Sequence, residues 1–290
     1  VFAANGGAIF FGFDRKTVET GYYGYNAILV ALCLAFSFDL NPTLVLLIMA
    51  GSLILEQGVH VSDLILYFMG DAETIYATTG IMQKERIVGK RPPGIEQFYG
   101  HRVEDQFEGQ SKVIIDAEDT AFSVIKFESG AIGQMTMTNG ANGYGFGNET
   151  IHGTKGTIQL PGSRNGNSPI ISRDNMSESI TGDDLLELVP NWKLDDITSL
   201  YFDGNKRISS YDYPFEAVDR KLIAIEMHDL ADAIINDSTP EVDEIVGVKA
   251  LSLAYGALES GDTDQIVKLK DIETGMVNQY QSEIDIELKI

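Results

Sequence analysis

The sequence predicts an α+β fold: an open, mainly antiparallel β-sheet with helices packed on one face. Three observations carry this expectation. Residues 120–139, TAFSVIKFESGAIGQMTMTN, alternate apolar and polar on both sides of Ser129-Gly130, a hairpin pattern. Residues 148–162, NETIHGTKGTIQLPG, repeat that pattern around Lys155-Gly156. Residues 216–237 and 244–261 then switch to helical spacing. A mixed front, a run of strands and a helical end leave one sheet face for solvent or a second subunit.

Taken in order, the elements read as follows. Residues 26–55 form the most apolar segment, but Asp39, Asn41 and Pro42 divide it into pieces shorter than the ~20 apolar residues a membrane helix needs. Buried strand or core helix is the expectation there. From Ser52 to Phe68, apolar residues recur mostly at three- and four-residue steps, and Gly70 follows as a C-cap, so one helix is expected with His60 in its middle. The run AETIYATTG reads as a strand, and Lys84 to Gln110 as a long polar excursion. The tract from Gly162 to Asp184 reads as surface loop. Val218, Leu222, Ile225, Leu230 and Ile234 stripe a helix that Pro240 closes; EIVGVKALSLAYGALESG makes a second, and Asp271 to Leu288 a third.

Composition narrows the partners. The 290 residues suffice for a core without disulfides or metals, and 43 acids against 21 bases give a net charge of -22. That balance argues against nucleic acid and against an anionic membrane surface, both of which need a basic face. Cys33 is the only cysteine, so no internal disulfide can form, and a reducing, cytoplasmic setting is expected. The chain opens on Val1 rather than Met, which suggests processing or truncation at its front.

The chemistry concentrates in EQGVHVSDL, residues 56–64. His60 follows Glu56 by four residues and precedes Asp63 by three, so on a helix both acids stack on the side of the imidazole. A carboxylate beside an imidazole fixes its tautomer and raises its pKa, as a base that removes a hydroxyl proton requires. The same spacing also suits an ordinary helix histidine packed beside a structural acid, and spacing alone leaves both readings open. His101, His152 and His228 are scattered, so no metal site is expected. Neither NGGA nor NGANGYGFGN fits the dinucleotide or phosphate-loop patterns.

GSLILEQGVHVSDLILYFMGDAETIYA resembles the signature segment of the glucose-fructose oxidoreductase, inositol dehydrogenase and rhizopine-catabolism (Gfo/Idh/MocA) family. EDTAFSVIKFESGAIGQMTMT is similar to that family's paired strands, IHGTKGTIQL to its following turn, and VGVKALSLAYGALESG to its closing helix. FFGFDRK, residues 10–16, resembles the strand that enters the domain. The resemblance implies a dehydrogenase C-terminal domain-like fold over residues 51–290, with His60 as proton acceptor and Glu56 assisting substrate binding. It further implies NAD or NADP as cofactor, a carbohydrate-like small-molecule substrate and a homo-oligomer formed through the open sheet face.

Two departures from the family accompany these features. The family's preceding dinucleotide-binding domain and its Glu-Lys-Pro motif do not occur in this sequence, so the chief cofactor site is expected outside it. Residues 1–50 are expected to be an apolar lead-in at that junction, and residues 17–50 are far more apolar than the family's connection. Arg15, Tyr99, His101 and Arg102 are the candidates for substrate contacts, with the cofactor-binding residues left open. The expected function is that of an NAD(P)-dependent oxidoreductase of a sugar, polyol or related carbinol. The alternatives are a non-catalytic oligomerisation or ligand-binding module of the same fold, or an NAD-dependent glycosidase.

Overall fold

A computed structural model describes residues 53–87, 111–141, 147, 149–162, 164–173 and 177–288. Their contacts fall into two compact units, one from the described parts of Val1–Phe146 and Val242–Ile290, the other from Gly147–Glu241.

The first unit opens with α1 (Leu53–Glu56) and α2 (Gly58–Met69), followed by β1 (Ala72–Gly80) and β2 (Glu85–Ile87). Then come β3 (Lys112–Ile114), β4 (Thr120–Phe127) and β5 (Ile132–Thr138). The helix expected from Ser52 is interrupted at Gln57, so His60 lies in the first turn of α2. Gly70 ends α2 as expected, at φ 79° with its N–H donated to the Leu66 carbonyl at 2.8 Å. At the two ends of the stretch expected to be a polar excursion, β2 pairs antiparallel with β3, Arg86 opposite Val113. Residues 88–110 lie outside the described residues.

The main sheet has the order β10-β1-β4-β5, where β10 is the short strand Val267–Lys268, and all its pairings are antiparallel. Alternation in β4 buries Ala121, Ser123, Ile125 and Phe127 and exposes Phe122, Val124 and Lys126, as a one-sided sheet requires. The buried side meets α6 (Glu244–Thr263), whose Leu253, Ala257 and Leu258 join Ile75, Ala77, Ile125, Met135 and Met137 in one core. The predicted architecture of helices on one face of an open antiparallel sheet is therefore the one observed.

Small residues let α6 approach the sheet closely. A Cβ on Gly256 would stand 2.9 Å from Ile75 and from Leu269, and one on Gly261 would fall 2.2 Å from the Thr79 hydroxyl. Ser260 uses that proximity: its Oγ accepts the Ala77 N–H at 2.8 Å and donates to the Gln265 carbonyl at 2.6 Å. β1 is paired with β10 only at Thr74 and Ile75, so this hydroxyl satisfies an edge amide beyond the end of that partner strand.

The expected terminal helix is two helices, α7 (Leu269–Glu273) and α8 (Gln279–Leu288), broken where Gly275 takes φ 70°. The start of α8 is held by Glu259, a buried carboxylate of α6 that accepts the N–H groups of Gln279 at 3.0 Å and Tyr280 at 2.9 Å. Burial pushes the Glu259 carboxyl up, against the pull of those amides.

The second unit holds an antiparallel sheet in the order β6 (Thr150–Gly153), β7 (Gly156–Gln159), β8 (Ile170–Arg173) and β9 (Glu178–Ile180). Its helices are α3 (Asp184–Leu188), α4 (Asp196–Tyr201) and α5 (Phe215–Asn236). The tract expected to be loop from Gly162 to Asp184 therefore contains a strand pair, Ile171 opposite Ile180. The helix of residues 216–237 is α5, which ends with Asp237 in the left-handed region at φ 52°.

Candidate functional site

The inner face of α2 is set by Gly58 and Ser62, both buried, with Ile65, Leu66 and Met69 packed on the core. A Cβ at Gly58 would stand 3.1 Å from the Met137 thioether and 3.7 Å from Ala254, so this glycine brings α2 close to α6 and β5. The Ser62 hydroxyl is directed to the Met135 sulfur at 3.9 Å. These contacts fix the rotation of α2 about its axis.

His60 follows Gly58 by two residues and precedes Ser62 by two, a turn of about 200° from each. It therefore sits nearly opposite the face that packs on the core. Asp63 shares its flank three residues on, and both side chains are half-buried. Burial pushes the Asp63 carboxyl above its ordinary value, and the charge of His60 draws it part of the way back, so the two groups are electrostatically coupled. Seven residues beyond His60, Tyr67 is 74% exposed and meets Phe68 edge to face at 5.3 Å.

The other candidates are less fully placed. The backbone of Glu56 closes α1, while its side chain lies outside the described residues. Arg15, Tyr99, His101 and Arg102 also lie outside them. Among the described residues there is no group of three or more His, Cys, Asp and Glu that could hold a metal ion. No described helix is long and apolar enough to cross a membrane.

Asp119, which no motif in the sequence singles out, gathers a cluster of hydrogen-bond donors. It is buried and accepts from the N–H groups of Met82 at 2.8 Å and Gln83 at 3.1 Å, from the Thr120 hydroxyl at 2.9 Å and from Arg86 Nη2 at 3.0 Å. Burial alone pushes its carboxyl up, but these donors outweigh burial and hold it below the usual range. The cluster ties the start of β2 to the end of the main sheet where β4 begins. An acid ahead of an alternating strand was the available signal, although it does not reveal its partners.

With this geometry in place, residues 46–159 match the family model of the GFO/IDH/MocA C-terminal domain, and residues 1–60 match that of the Urea transporter. The apolar lead-in thus has a likeness of its own, and the two matches overlap at residues 46–60. No curated protein matches. Among solved structures, the chain is similar to an NAD binding oxidoreductase from Klebsiella pneumoniae at 17% identity and TM-score 0.50, over 73% of this chain and 49% of that one. It is also similar to a levoglucosan dehydrogenase in complex with NADH and L-sorbose, at 19% identity and TM-score 0.49, over 73% and 49% of the two chains. The chain spans about half the length of these structures, and at 17% identity the likeness to the first of them establishes the fold alone.

Proposed function

We propose that this chain, whose residues 46–159 match the family model of the GFO/IDH/MocA C-terminal domain, is the substrate-handling part of an NAD(P)-dependent oxidoreductase acting on a CH–OH group of a sugar, polyol or related carbinol. The observation that carries this reading is the position of His60 inside the matched segment, on the flank of α2 turned from the core and coupled to Asp63. In it His60 accepts the hydroxyl proton of the substrate, Asp63 stabilises the imidazolium that results, and Glu56 assists substrate binding. Arg15, Tyr99, His101 and Arg102 are the proposed substrate contacts.

Hydride removal is the chemistry that NAD or NADP supplies when bound. The described sheets are antiparallel throughout, and among the described residues no strand, glycine loop and helix form a dinucleotide cradle, so none of these residues is assigned to the cofactor. The role of the described residues is to orient the substrate and take its proton.

We place the domain boundary near residue 50, supported by the change of family match between residues 1–60 and 46–159. The lone Cys33 supports a reducing, cytoplasmic setting. The outer sheet face, with Tyr76, Phe122, Val124 and Ile132 exposed, supports a homo-oligomer formed through that face. The functional reading is tested by incubating the native polypeptide with NAD and NADP and a series of sugars and polyols. Reduced cofactor appearing in proportion to oxidised substrate is the expected result, and no reduced cofactor with any of them would count against it.

A further inference from the structure

A hollow in the Gly147–Glu241 unit has the chemistry of a second ligand site. Its volume is about 250 Å³, and Phe202, Tyr211, Tyr213, Asp203, Asn205 and Asp212 are among its lining residues. The three rings form one wall, with Phe202 5.2 Å from Tyr211 and 6.1 Å from Tyr213, and Tyr211 5.9 Å from Tyr213. Gly166 holds that wall in place. Its carbonyl accepts the Tyr211 N–H at 2.9 Å, and with φ 73° it lies so close that a Cβ would fall 2.1 Å from the Tyr211 carbonyl oxygen.

The polar groups stand at the rim. Asp203 occupies the left-handed region at φ 58° and accepts the Tyr213 hydroxyl at 2.5 Å. Asp212 is exposed and accepts no hydrogen bond from the described residues. Asn205 uses its oxygen on the Arg207 N–H at 3.3 Å, leaving its amide N–H groups to donate.

Charge selects the ligand. The two rim carboxylates disfavour an anion. An organic cation would seek the ring faces, but the Lys221 ammonium already stands 4.5 Å from the Tyr213 centroid and 5.9 Å from that of Phe202. A neutral polyhydroxylated molecule satisfies both constraints, laying C–H groups on the rings and hydroxyls on the carboxylates and amide. We propose that this hollow of the Gly147–Glu241 unit binds a single sugar or polyol through its own lining residues.

The test is saturation-transfer NMR on the full chain with myo-inositol and D-glucose as probes, and with choline and glucuronate as charged competitors. Transfer to a neutral probe is expected in the wild type and in His60→Ala alike. Asp212→Ala, at an exposed position that should leave folding intact, is expected to weaken binding about tenfold, the effect of losing a hydrogen bond to a charged acceptor. Tyr213→Phe, checked by circular dichroism for retained structure, should weaken it in the same direction. Three results would each overturn the proposal: no transfer to either probe, displacement by choline, or binding abolished by His60→Ala while Asp212→Ala leaves it unchanged.

Discussion

Asp63 lies one helical turn beyond His60 on the same flank of α2, and its carboxyl is raised by burial and partly lowered by the charge of that histidine. Because the folded protein binds this proton more tightly than the unfolded chain does, stability falls as pH rises from the ordinary carboxyl value through the raised one. Above that window the ionised, half-buried Asp63 is a constant cost. Asp63→Asn should therefore raise the denaturation midpoint at neutral pH and flatten the stability profile in the mildly acid range. A lower midpoint at neutral pH would show that ionised Asp63 is a net stabiliser.

Asp119 has the opposite sign. Its carboxyl is held below the usual range, so the stability it contributes is fully present above the unfolded value and is lost as pH falls through the folded one. Asp119→Ala leaves the amides of Met82 and Gln83 and the Arg86 guanidinium without their acceptor. The expected loss is about 2–4 kcal/mol in urea denaturation at neutral pH, shrinking in acid.

The glycines of the helix contacts differ in what they tolerate. Gly58→Ala is tight only against the flexible end of Met137 and stands at ordinary contact distance from Ala254, and the helix propensity of Ala offsets the tight contact, so a change under about 1 kcal/mol is expected. Gly261→Ala meets Thr79, with its Cβ at 2.9 Å and its hydroxyl at 2.2 Å, on a strand that cannot withdraw. A cost of about 1–3 kcal/mol is expected there. Equal effects at the two positions would show that α6 can shift on the sheet.

The outer sheet face offers a test of assembly. Val124 is 54% exposed at its centre, opposite Tyr76 on β1 and Gln134 on β5. Val124→Glu should dissociate an oligomer formed through this face, lowering the mass seen by sedimentation without a loss of helix or sheet signal. An unchanged mass would place the interface elsewhere or leave the chain monomeric.

The sequence made the strands of the main sheet legible because alternation in β4 and β5 reports directly on a one-sided sheet, and α5 and α6 legible because their apolar stripes are long. It did not expose β8 and β9, because Ile170, Ile171 and Ile180 are brief apolar points within a polar, glycine-rich tract. Nor did it expose the break at Gln57, since the apolar spacing runs through it and the close contact of Gly58 with Met137 is tertiary. His60 and Asp63 were legible as a pair at helical spacing. Which way that pair faces depends on the buried positions Gly58 and Ser62, and only packing identifies those.

The central claim is that His60 takes the substrate proton, and the most direct measurement compares wild type with His60→Ala in the native polypeptide that carries this chain. Reduced NAD or NADP would be followed across pH with a turned-over sugar or polyol. The account predicts a fall in kcat of about 10²–10⁴ and loss of the pH dependence that belongs to the imidazole. Near-normal turnover in His60→Ala, or sugar release by the wild type without net formation of reduced cofactor, would contradict it.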